Sequence, residues 1–105
     1  MYVILTSKPG QFHTQPGPGM AVVRTYDYVF YGQTRATFQI AELQSPSRVA
    51  ITEAQPPHTV NHVPTKFLEA FDSLDAALVE LEHLTRFGSM DAQLVRVTSA
   101  PTRPE

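Results

Sequence analysis

Only one stretch of this chain carries the period of an amphipathic helix. Leu74, Ala77, Leu78, Leu81 and Leu84 recur at three- and four-residue steps and make one apolar stripe. Asp72 or Ser73 stands where a helix cap belongs, and Asp75 falls in the first turn, where the helix dipole favours an acid. Arg86 falls in the last turn, and Gly88 is placed to end the helix. Almost all other apolar segments are patterned for strands. A chain of strands with a single helix must bury that helix on a sheet. The predicted fold class is therefore α+β: an antiparallel sheet of about five strands with one amphipathic helix packed on one face, in the order β-βββ-(β)-α-β.

The strands are read from β-branched and aromatic runs between turn residues. Residues 2–7 are apolar on both faces and predict a central strand. Residues 8–19 hold three prolines and three glycines, which predicts a loop. Residues 20–31 and 35–43 predict a hairpin around Gly32. With Tyr31 opposite Thr34, polar and apolar residues mix on each face. With Tyr31 opposite Arg35, one face collects Tyr26, Tyr28, Phe30, Ala36, Phe38 and Ile40. Register is a burial decision, so the second pairing is preferred, although a three-residue loop usually wants its glycine last. Residues 48–53 alternate and predict the third strand of a meander. Residues 55–64 read as a proline-bounded connection, 66–71 as a short strand into the helix, and 92–98 as the last strand.

A length of 105 residues suits one domain, assigned to residues 1–98, with 99–105 as a disordered tail. The absence of cysteine excludes disulfides, thiol nucleophiles and cysteine-ligated metals. No apolar run reaches the length of a membrane span. Residues 1–7 have neither a basic flank nor a long enough apolar run for a signal peptide, so a cytoplasmic location is expected. The net charge of −2 argues against a nucleic-acid surface. That charge is uneven. Residues 1–52 carry Lys8, Arg24, Arg35 and Arg48 against Asp27 and Glu42, whereas the second half is acidic.

Catalytic patterns are sparse. No Gly-x-Ser-x-Gly elbow is present, and Pro18 removes a donor from the only glycine-rich candidate for a phosphate cradle. His58 and His62 have a helical metal-ligand spacing, but Pro56, Pro57 and Pro64 bracket them. In an extended chain they lie about 13 Å apart, too far for a shared ion. No metal and no cofactor are expected. His13 could meet His58 or His62 if both proline loops gather at one end of the sheet. His83 reads as a boundary residue of the helix.

Three functional readings follow. The first is a small non-catalytic accessory or protein-interaction domain, acting as a homodimer or as a subunit of a larger assembly. One helix covers only part of a five-stranded sheet, so a second copy would finish the burial. Its contact residues would be Tyr31, Arg35, Arg24 and, from the first loop, Phe12, because tyrosine and arginine are enriched in interface hot spots. The second is a small-molecule-binding protein or isomerase- or lyase-type enzyme acting on a small acidic ligand. His13, His58 or His62 would carry protons, and Arg24 or Arg35 would clamp the anion. The third is single-stranded nucleic-acid binding on sheet aromatics, which the scarcity of nearby cations disfavours.

Overall fold

The computed structural model describes residues 1–85 and 92–97. Among the described residues are eight strands and one α-helix: β1 (Tyr2–Ser7), β2 (Phe12–Gln15), β3 (Met20–Phe30), β4 (Gln33–Leu43), β5 (Arg48–Glu53), β6 (Val60–Pro64), β7 (Ala70–Phe71), α1 (Leu74–Thr85) and β8 (Ala92–Arg96). A single 3-10 turn, Thr65–Phe67, precedes β7. The expected helix end at Arg86 and Gly88, and the tail at 99–105, lie outside the described residues. Within those residues no helix is long and apolar enough to cross a membrane.

The α+β class holds. The main sheet has five strands in the order β7-β1-β4-β3-β8, with every described pairing antiparallel. β1 is interior to it, and its two faces feed two cores. Tyr2 and Ile4 join the cluster of Ala36, Phe38, Ile40, Ala77 and Leu81 beneath α1. Val3 and Leu5 join Ala41 and Val49 on the opposite side. Each fully buried aliphatic side chain of this kind contributes about 1.5–3 kcal/mol. The alternating burial of β1 is thus what holds the three layers together.

The third layer is a second sheet, in the order β2-β5-β6. It corrects three expectations. β5 is not the third strand of a meander; it leaves the main sheet after Leu43 and packs Val49 and Ile51 against the far face of β1. The segment 8–19 is not wholly loop, because its proline-free centre, Phe-His-Thr-Gln, forms β2. The connection 55–64 ends in β6, where Pro64 is tolerated because β6 is an edge strand. Of residues 66–71, only Ala70 and Phe71 are strand.

β2 is anchored by a buried threonine. Thr14 donates its hydroxyl to the Thr6 carbonyl, and its backbone N–H donates to Ser7 Oγ at 2.9 Å. Thr65 does the same work beside β5: its hydroxyl accepts the Ser47 N–H at 3.0 Å, and its own N–H donates to the Ser47 carbonyl at 2.9 Å. Both threonines are buried, so these bonds exclude competing water.

The helix follows its sequence pattern except at one end. Ser73 is the cap, its Oγ accepting the Ala76 N–H at 3.0 Å. Ala77 and Leu81 are buried, and Leu74 and Leu78 pack beside them. Leu84, expected in the stripe, is instead 48% exposed. His83 is exposed as well.

The β3–β4 register differs from both alternatives read from the sequence. Tyr26 faces Phe38, Asp27 faces Thr37 and Tyr28 faces Ala36. This pairing is two residues away from the preferred one, so Tyr26, Tyr28, Ala36, Phe38 and Ile40 still share the helix side but with new partners. A bulge between Tyr28 and Val29 then skips Arg35, leaving Val29 opposite Thr34 and Phe30 opposite Gln33. Tyr31 and Gly32 are the whole turn.

Candidate functional site

Two places gather the residues singled out by sequence. The first is the tip of the β3–β4 hairpin. Tyr31 and Gly32 have φ of 51° and 74°, the positive pair that a two-residue hairpin turn demands. Glycine or asparagine normally meets that demand, since other residues crowd their own backbone there. A bulky side chain at such a position is rare. Tyr31 is also 67% exposed. Its ring meets Phe30 edge-on, with centroids 4.4 Å apart, and the Arg35 guanidinium lies 5.9 Å from the Phe30 ring centre. Tyr31 and Arg35 are therefore not cross-strand partners, as the preferred register required. Phe30 stands between them, and the three make one aromatic and cationic tip.

Arg24 and Phe12 do not join this tip. Arg24 lies on β3 before the turn, half-buried, and donates to the Val23 carbonyl at 2.8 Å. Phe12 lies at the start of β2, at the second place, described next. Tyr26 and Tyr28 are partly buried against the core beneath α1.

The second place is a cleft of about 540 Å³ where the β1–β2 turn meets the β5–β6 turn. Gly10, at φ 75°, lets the first turn reverse over Lys8 to Gln11, and Gln11 then accepts the Ala54 N–H at 2.9 Å. That bond ties the two turns together. Ser7, Lys8, Phe12, His13, Glu53 and His58 line the cleft. His13 Nδ1 sits 3.5 Å from Ser7 Oγ. His58 Nδ1 lies 3.1 Å from the Glu53 carbonyl. A carbonyl only accepts, so Nδ1 is the donor in this bond. His13 and His58 line the same cleft because β2 and β5 pair and bring their turns side by side.

The rest of the acid–base reading does not assemble here. His62 lies on β6 opposite Ala50, in a separate recess, and Arg24 and Arg35 are on the main sheet. The cation in the cleft is Lys8, and sequence reasoning missed it together with Ser7 and Glu53. No group of three His, Cys, Asp or Glu side chains positioned to hold a metal ion occurs among the described residues. Chemically, the cleft offers two imidazoles, an ammonium, a carboxylate and a hydroxyl to a small polar molecule. Comparison of the chain with protein-family models, with curated proteins and with solved structures finds no match.

Proposed function

We propose that this chain is a non-catalytic protein-interaction domain, acting as a homodimer or as a subunit of a larger assembly, with the β3–β4 tip as its contact. One observation carries this reading: an exposed tyrosine occupies a turn position where its own backbone conformation disfavours it. Strained positions persist where the side chain serves a purpose that a better-suited residue would lose. Tyrosine and arginine together are what interface hot spots favour. The second sheet packs on the far face of β1 beside Ala41 and Leu43, which leaves less of the main sheet for a second copy to bury, so the tip bears the argument.

Tyr31→Asn tests it. Asparagine accepts the positive φ, which relieves roughly 1 kcal/mol. The lost edge contact with Phe30 costs about the same, so the melting temperature should barely move. Sedimentation over a wide concentration range should show a wild-type dimer and a monomeric Tyr31→Asn. A wild type that stays monomeric throughout would sink the homodimer. A dimer unaffected by the substitution would move the contact off the tip.

A second reading has its own support, since His13 and His58 line one cleft. Under it the protein binds a small acid there, with Lys8 in place of the arginine clamp. Titration with short carboxylic acids should then shift the His13 and His58 imidazole resonances together while His83 stays still. A shift confined to His62 would refute it.

A further inference from the structure

The outer face of the second sheet carries a recess outside both sites above. Gln15, Ala50 and His62 form one row across β2, β5 and β6. Arg48 lies two residues before Ala50 on β5, hence on the same face. A small side chain at the centre of such a row leaves a hollow ringed by longer neighbours. Pro16, Pro18 and Pro46 wall it, and the space measures about 610 Å³. Ser47 also lines it, and the Ser47 hydroxyl oxygen is buried with no hydrogen-bond partner. A buried hydroxyl left unpaired is costly unless something supplies its bond.

The polar side chains around the hollow are an arginine, a histidine, a glutamine amide and that hydroxyl. All can donate, and no acidic residue lines the recess. This distinguishes it from the cleft at His13, which Glu53 lines. We infer that the recess is a binding site for an oxyanion, carboxylate or phosphate, borne on a small organic molecule. Arg48 supplies the charge and a fork that matches two oxygens at once. His62 and the Gln15 amide flank the anion, and the unpartnered Ser47 hydroxyl beside them supplies a further donor. The proline walls hold the apolar remainder of the ligand. This site does not depend on the hairpin tip, and its ligand needs no chemistry at the cleft.

Calorimetric titration at low ionic strength, with inorganic phosphate in one arm and succinate in the other, tests the inference. Saturable one-to-one binding is expected in at least one arm, and the arm that binds names the oxyanion. Ser47→Ala and Arg48→Gln should each weaken it about tenfold. Ser47→Ala keeps the backbone bonds to Thr65, so its unliganded form should melt no lower than wild type while binding worse. A merely structural serine would not separate those two effects. Arg48 is exposed, so Arg48→Gln leaves the fold intact and serves as the second variant. Absence of saturable heat in both arms, or affinity unchanged in both variants, would overturn the site.

Discussion

Leu81→Ala should lower the unfolding free energy by about 2–5 kcal/mol, measured by urea denaturation of the purified variant. Leu81 is 1% exposed and is the largest fully buried side chain of α1. It drives into the cluster formed by Ala36, Phe38 and Ile40 on β4. Two of the neighbouring core residues, Ala36 and Ala77, are already small. They cannot expand into the vacated space, so the cavity stays open and its cost is added to the lost transfer energy. The total stability of a domain this size is only about 5–15 kcal/mol, so the variant should show a large loss of midpoint. An unchanged midpoint would mean that the helix is not clamped to the sheet through this residue.

Gly17→Ala should be the next most damaging change, at about 1–3 kcal/mol. The reason is space rather than backbone angle. A methyl group at residue 17 would fall on the Arg48 carbonyl oxygen and within 2.7 Å of Ser47 Oγ. The hydroxyl can rotate away, but the carbonyl belongs to the start of β5 and moves only with the strand. At about 4–8 °C per kcal/mol, thermal denaturation resolves the loss clearly. A variant melting with the wild type would show that the 16–18 loop does not press on β5.

The parts of this fold that could be read from the chain are those specified by neighbours in sequence. The stripe of Leu74, Ala77, Leu78 and Leu81 fixes the helix, and Ser73 caps it as its residue type suggests. The faces of the hairpin followed from alternation. Its register did not, because Tyr31-Gly32 lacks the asparagine or aspartate that announces a two-residue turn, and because the bulge at Arg35 leaves no local mark. β2 and β6 were hidden by the prolines and glycines around them. Those residues bound short strands as often as they abolish them, and four or five residues suffice once a partner strand supplies the hydrogen bonds. Alternation marked residues 48–53 as a strand but not which sheet it joins, and the Gln44–Ser47 connection carries the chain to the other sheet.

The same limit applies to the sites. Tyr31 and Arg35 were recognisable as an aromatic and a cation near a turn. That His13 and His58 line one cleft depends on the pairing of β2 with β5, and β2 lies in a segment that reads from sequence as loop. Arg48, Gln15 and His62 share a face only because three separate segments align in one sheet. No spacing along the chain encodes that row.

The interior position of β1 sets a constraint on biosynthesis. Residues 2–7 are synthesised before all of their strand partners, residues 37–42 and 70–71, and the face carrying Val3 and Leu5 waits for Val49 and Val63. At synthesis rates of roughly 5–20 residues per second, this strand spends seconds with both apolar faces and both edges open. Nascent chains halted before residue 43 should therefore recruit chaperones or aggregate, and the domain should fold slowly for its size, since both sheet partners of this interior strand are distant in sequence.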